Sequence, residues 1–428
     1  MKGLLGFLCV GSVSVLWGAL EVATVSVRQR WPWNDLVDVS FTLSGTAVDT
    51  PYRVELAADA PGRGRVTAHH LMTEPVVKGN GPHRLVWDMG KDLPGYAATN
   101  LRVRVSVTEF LSTTPVFLCL DLAAPLAPGS LTQTYAVRYT TQEPDWTDDT
   151  NKTRAYWMRR LRAGTFTMGT GETFFSKDPI ATSLPSHNVT LTNDFYIAVF
   201  ETTQQQWHHV MGTWPSFFTN AADRASRPVE KVKMSQIRGG TEGIKWPEGT
   251  RVDAGSFVAL VRERSGLAAF DLPTEAQWEF ACRAGTTDKY YSADWDEKTF
   301  ARYANNGGKV LNAQGVLVDP LGDVAADDGG TARVGSYAPN PWGLYDMAGN
   351  VFELLLDRHS FNVSPSVYQV AEVEPVGLTA AQQPNQNERV GRGGGCTHGI
   401  DSCSSYFRRP VSSAISVCGC RFVVPVQK

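Results

Sequence analysis

The residues best suited to chemistry in this chain are carboxylates, thiols and a few imidazoles. Asp346 and Glu353 flank Gly349, and so place two carboxylates around the backbone carbonyls of a glycine-containing turn. Hard oxygen ligands grouped this way suit Ca²⁺, whose shell mixes carboxylate and main-chain oxygens. The same pair also reads as carboxylates that cap loop N–H groups without metal. Beyond Cys9 the chain carries Cys119, Cys282, Cys396, Cys403, Cys418 and Cys420, four of them within the last 33 residues. Six cysteines allow many pairings, which spacing does not resolve. His208 and His209 are adjacent, so on a helix they point to different faces and cannot chelate one ion together.

These groups have to be positioned by two different textures of sequence. From Glu21 to Thr140 the pattern is strand after strand. Val37, Val39, Phe41 and Leu43 alternate with polar residues, as do Leu101, Val103, Val105 and Val107, and Tyr52, Val54 and Leu56 repeat the theme. Period two with one polar face predicts half-buried antiparallel strands. Turn clusters at 60–62 and 79–82 separate them. The expectation is an all-β, immunoglobulin-like sandwich over 21–140. Trp31 and Trp33 read as a cover for one end of it, with a binding patch as the alternative. Residues 141–154 are polar, acidic and aperiodic, which predicts a linker.

Beyond it come short strands, a few helices and long Gly/Asn/Pro loops. Thr202 with Gln205, and Thr274 with Gln277, predict helix starts closed by a capping box. Asp253–Arg264, followed by Ser265-Gly266, is a third helix candidate. The fold class is α+β.

Composition narrows the function. Forty basic against 43 acidic residues give a formal charge of −3, with no run of Lys or Arg, which excludes a nucleic-acid partner. Lys2 and the apolar stretch Leu4–Leu16 predict a signal peptide over 1–20. No second stretch is long enough for a transmembrane anchor. The expected location is outside the cytoplasm: periplasmic, cell-surface or secreted.

A family resemblance rests on ordered blocks. They are Phe166–Gly169, Pro185–Val189, Leu272-Pro-Thr-Glu-Ala-Gln-Trp-Glu-Phe-Ala281, Gly343-Leu-Tyr-Asp-Met-Ala-Gly-Asn-Val-Phe-Glu353, Arg392-Gly-Gly394 and Arg421-Phe422. Over 155–425 the chain resembles the formylglycine-generating enzymes, or sulfatase-modifying factors. The resemblance implies a modified C-type-lectin-like fold and a calcium held by Asp346, Glu353 and the backbone of Gly349 and Val351. A second family calcium would use Asn305, Asn306 and an aspartate, and Ala326 stands where that aspartate belongs. Family oxidases hold Cu(I) between cysteines four and nine residues after the Gly-Gly, soft thiolates being the ligands Cu(I) selects. Cys403 occupies the ninth position, and His398 replaces the first cysteine. Cys403 and His398 are therefore the catalytic candidates for a copper-dependent oxidase acting on a cysteine of sulfatase polypeptides.

The segment 395–420 also resembles the variable proteins of diversity-generating retroelements. It contains no Lys, Glu, Gln, Met or Trp, the residues that adenine replacement in an Asn codon does not yield. That resemblance implies ligand contacts from Cys396, Thr397, His398, Asp401, Tyr406 and Phe407. The preferred reading is an exported, non-catalytic family member that binds a protein or surface ligand through 395–420. The alternative is the copper-dependent oxidase.

Overall fold

The computed structural model describes residues 9–12, 20–30, 35–46, 51–72, 75–96, 101–109, 115–124, 133–171, 185–219, 222–239, 251–292, 300–304, 310–311, 317–318, 330–359, 372–373, 375, 388–411 and 417–426. The chain divides into two units, Met1–Thr113 and Thr114–Lys428. Most of the expected signal segment, Trp31 and Trp33, and the second calcium site's Asn305, Asn306 and Ala326 lie outside the described residues.

The first unit is built from two antiparallel sheets. Glu21–Gln29, Leu36–Ser44 and Gly81–Asp88 form one, with Cys9–Ser12 on its edge. In the other, Pro51–Ala60 pairs with Gly64–Thr67, Val76–Lys78 and Arg102–Glu109. Alternation decides which side chains go inward: Val37, Val39, Phe41 and Leu43 join Val54, Leu56, Val103 and Val107 in one buried cluster.

The second unit is α+β and mostly sheet. Its five-stranded sheet runs Val137–Thr140, Phe117–Asp121, Ala155–Leu161, Phe195–Ala198, Val423–Pro425. The first two of these strands were expected in the N-terminal sandwich, and the division near residue 140 therefore differs from the one observed. Phe117–Asp121, an apolar run buried at four of its five positions, pairs along its whole length with Ala155–Leu161. Residues 141–154 are likewise not a free linker. Trp146 packs edge-on against Phe117, Trp157 and Phe200, and Asn151 accepts from Trp157 Nε1 at 3.0 Å.

Helix starts follow the capping chemistry, with one shift. Glu275–Arg283 begins at Thr274, with Gln277 closing the box, as the spacing predicts. Gln204–Met211 is capped by Thr203 and Gln206, one residue later than expected. Thr202 is displaced from that role because its hydroxyl meets Tyr156 Oη at 2.9 Å in the core. Phe257–Ser265 starts at Ser256 and closes at a left-handed Gly266.

A four-stranded sheet carries the C-terminal segment. Its order is Arg409–Val411, Arg389–Arg392, Phe352–Arg358, Cys418–Gly419. Phe352–Arg358 is buried at every position, so this sheet is the floor beneath 393–408.

Candidate functional site

The motif residues meet first as a scaffold. Arg392 donates from Nε to Glu275 Oε1 at 2.8 Å and from Nη2 to Glu279 Oε2 at 2.7 Å. Arg408 holds Glu275 with two bonds, 2.8 and 2.9 Å. Arg421 lies on Glu353 and also donates to the carbonyls of Ala198, Val199 and Tyr345. All six side chains are buried. The two arginines beside Glu275 hold its carboxyl at about 2, against the opposing effect of burial, the largest single influence on it. The helix Glu275–Arg283 thus presents Glu275 and Glu279 (i, i+4) to the start and middle of the C-terminal segment. The family blocks contain Glu275, Glu279, Glu353, Arg392 and Arg421, and the segment 395–420 contains Arg408, without showing them as partners. Three Glu and three Arg in otherwise apolar blocks were the available signal, since charges are fully buried only when paired.

Glycine is required where backbones close on one another. Gly394 has φ +81°, and a Cβ there would stand 2.8 Å from the Ser402 carbonyl oxygen. Gly349 has φ +78°, and a Cβ would fall 2.3 Å from the Arg302 carbonyl. These two positions fold 395–403 back over the sheet.

The result sorts the predicted site residues. Cys403 is 1% exposed and packs with Trp278, Met347 and Leu355. Burial pushes its thiol well above the ordinary range, with the Asp401 charge adding to the effect. His398 does not aim at a metal shared with it. Its Nε2 meets Arg409 Nη1 at 2.6 Å, and its Nδ1 meets Thr397 Oγ1 at 3.1 Å. A guanidinium only donates, so Nε2 is the acceptor and its lone pair is occupied. Cys396 packs in the other large core cluster, with Cys418, Cys420 and Phe407. The expectation that Cys396, Tyr406 and Phe407 contact a ligand is corrected: all three are buried, Cys396 and Phe407 completely.

Thr397, His398 and Asp401 stay on the solvent side. Asp401 is half exposed and pairs with Lys289 at 2.6 Å. Arg409 covers the Phe352 ring at 5.3 Å, and His398 meets the same ring edge-on at 4.8 Å. Thr397, His398 and Arg409 therefore meet beside the Phe352 ring, and Asp401 and Lys289 form a second, partly exposed polar pair. Residues 412–416, also part of the expected ligand segment, lie outside the described residues. All six cysteines beyond Cys9 are free thiols.

The calcium candidates are split. Glu353 commits both oxygens to Arg421, and Oε2 also takes Trp278 Nε1 at 2.7 Å, so its side chain is not a free ligand. Asp346 accepts only the Gly335 N–H among the described bonds, at 2.7 Å. Burial first, then the Glu353 charge, raises its carboxyl to about 6, although the Gly335 bond and Arg421 oppose this. Burial, Asp346 and Glu353 together raise Glu201 well above the carboxylate range. Glu201, Asp346 and Glu353 therefore share Arg421, with Lys152 also close to Asp346, and Asp346 is the carboxylate of the three left open to a cation. Among the described residues no three His, Cys, Asp or Glu side chains are grouped as a ready metal site, so main-chain oxygens would have to complete the shell.

Comparison with known proteins follows the same boundaries. Residues 145–425 match the sulfatase-modifying factor enzyme 1-like domain. The chain is 31% identical over 206 residues to the chaperone protein LppX of Paenibacillus barcinonensis, covering 43% of this chain and 69% of that one. It is 31% identical over 208 residues to the formylglycine-generating enzyme of Mycobacterium tuberculosis, covering 47% of this chain and 58% of the enzyme, less than two thirds of its length. Treponema denticola variable protein 1 aligns in structure with 24% identity and a TM-score of 0.45, over 64% of this chain and 96% of that one.

Proposed function

Because the chain belongs to the sulfatase-modifying factor enzyme 1-like family, we propose that it is a non-catalytic member that binds a ligand through the polar face of its C-terminal segment. One observation carries the reading: the only cysteine at a copper position, Cys403, is in the core with its thiol strongly disfavoured from ionising. Copper binds the thiolate and not the thiol. His398, at the other copper position, has its Nε2 lone pair engaged by Arg409. The chemistry left on the outside is recognition, with Thr397, His398 and Asp401 as contacts and Lys289 and Arg409 beside them. A relative named as a chaperone is in keeping with family members that do not act as oxidases.

Three further points belong to the same proposal. A calcium held by Asp346 and the carbonyls of Gly349 and Val351 would neutralise buried carboxylate charge in the core. Lys2 and Leu4–Leu16 direct the chain out of the cytoplasm, and the first unit is an immunoglobulin-like sandwich. Among the described residues no helix is long and apolar enough to cross a membrane.

The test has two arms. The full chain, reconstituted with Cu(I), is given O₂ and a cysteine-containing sulfatase peptide, and no peptide oxidation is expected. Oxidation abolished by Cys403→Ser would establish the oxidase instead. Separately, glycan and peptide arrays are probed with the wild type and with Thr397→Ala, His398→Ala and Asp401→Ala. Signals lost in the variants at unchanged melting temperature support binding by this face, and signals indifferent to all three overturn it.

A further inference from the structure

We propose that a cleft at one end of a sheet in the first unit binds a sugar carrying an anionic group, whether a sulfate ester, a phosphate ester or a carboxylate. The cleft has a volume of about 510 Å³, with Asp59, Pro61, Arg65 and Arg102 among its walls. That volume falls within the range of small-molecule sites, roughly 300–1,000 Å³. Three strands build it. Asp59 of Pro51–Ala60 stands opposite Arg65 of Gly64–Thr67 on one side and opposite Arg102 of Arg102–Glu109 on the other. With neighbouring strands about 4.8 Å apart, the two arginines leave the backbone about 10 Å from each other, the carboxylate between them. The turn at one wall is braced, since Tyr96 Oη donates to the Pro61 carbonyl at 3.1 Å.

Charge decides what enters. Opposite charges directly across two strands stabilise a sheet by closing on each other, yet Asp59 closes on neither neighbour. Its Oδ2 takes two bonds from Arg104, Nε at 3.2 Å and Nη2 at 3.0 Å, from the next position on the same face. Arg65 and Arg102 are exposed and hold no acid among the described residues. Glu55, the next acid of the strand on this face, stands opposite Ser106 and pairs with no arginine among the described residues. Residues 97–100, just ahead of this strand, carry no charged side chain. Two uncommitted guanidiniums therefore line one cleft, in a chain whose formal charge is −3. The planar fork of each matches two oxygens of a sulfate, phosphate or carboxylate. Asp59 sets the rest of the ligand. Its Oδ1 takes no bond among the described residues, and an ionised carboxylate only accepts. It repels a bare inorganic anion and welcomes a hydroxyl. A charged group flanked by hydroxyls satisfies both requirements, which is the chemistry of an anionic sugar. This site and the ligand face of the second unit are independent of each other.

The test titrates the full chain by calorimetry at fixed ionic strength. The probes are glucose 6-sulfate, glucose 6-phosphate and glucuronate, beside plain glucose and inorganic sulfate. At least one charged sugar should bind saturably, about tenfold or more tightly than glucose or inorganic sulfate. Binding of the two esters alone assigns a tetrahedral group, and binding of glucuronate alone assigns a carboxylate. Arg65→Ser and Arg102→Ser should each weaken that binding roughly tenfold, as loss of a charge-assisted bond does. Both side chains are exposed, so the melting temperature should stay unchanged. Arg102→Lys, which keeps the charge and loses the fork, serves if a serine variant melts early. Asp59→Asn should narrow the gap between the sugar and inorganic sulfate. The proposal fails if none of the three charged sugars saturates, if inorganic sulfate binds as tightly as they do, or if binding survives both arginine substitutions.

Discussion

Arg421 lies fork-on to Glu353, its Nη2 at 2.8 Å and its Nε at 3.0 Å, with both side chains withdrawn from solvent. The pair joins the last strand region of the chain to the central strand of the four-stranded sheet. It also draws in Trp278 from the helix Glu275–Arg283. Removing one partner would leave the other charge buried and alone. Arg421→Met should therefore destabilise the second unit by roughly 3–5 kcal/mol, read from denaturant unfolding followed by tryptophan fluorescence. A loss under about 1 kcal/mol, typical of an exposed pair, would show that the pair is solvated.

Thiol chemistry tests the buried position of Cys403. In the native protein Cys403 should resist iodoacetamide at neutral pH and should label fully after unfolding in guanidinium, with mass spectrometry locating the adduct. Burial raises Cys119 to about 11 and Cys282 to about 12, so these thiols should be slow as well. Rapid native labelling at Cys403 would reopen the oxidase reading.

Calcium removal is the third test. A cation bound only to the folded state stabilises it by mass action, by about 2.7 kcal/mol at a hundredfold excess over Kd. EDTA should lower the melting temperature of calcium-loaded protein, and Asp346→Asn should abolish that response. Identical melts with and without chelator, for protein shown to contain the metal, would exclude the ion.

The buried Asp357 makes stability depend on pH. Its folded-state carboxyl sits at about 7 against 3.8 for the free group, so between these values the folded protein binds more protons than the unfolded chain. Its contribution is therefore most favourable below about 4 and is lost as pH rises through about 7. Asp357→Asn keeps an acceptor for the Glu275 N–H and removes the proton. The variant should gain stability relative to the wild type on going from pH 4 to pH 7.5, by an amount on the order of a few kcal/mol. Glu275, held at about 2, acts in the opposite sense: its stabilisation is present above about 4.5 and fades as pH falls towards 2. A stability difference between variant and wild type that stays constant across this range would contradict the Asp357 assignment.

The boundary between units is open to truncation. A fragment 115–428 keeps the strand Phe117–Asp121 and should unfold cooperatively. A fragment 141–428 loses that strand and exposes the edge of Ala155–Leu161 together with Trp157. It should aggregate or melt well below the longer fragment in circular dichroism. Equal melts would place the boundary near 140 after all.

What the sequence determined by itself was local and periodic. Alternation at 37–43 and 101–107 marked the strands, and the Thr274/Gln277 pair marked a helix start, because both depend on neighbours along the chain. The blocks at 272–281, 343–353 and 392–394 were legible as a family pattern. Tertiary structure decided what local pattern cannot carry. Phe117–Asp121 is a short apolar run that reads as one more strand of the series before it, and only pairing with Ala155–Leu161 assigns it to the second unit. Cys403 has the right spacing from Gly394, and only burial, which no spacing encodes, takes its thiolate away. Glu353 reads as a calcium ligand until Arg421, 68 residues on, closes over both of its oxygens. Long-range contacts of this kind are set by how the core packs, and burial then fixes which side chains keep charge, proton and access to solvent.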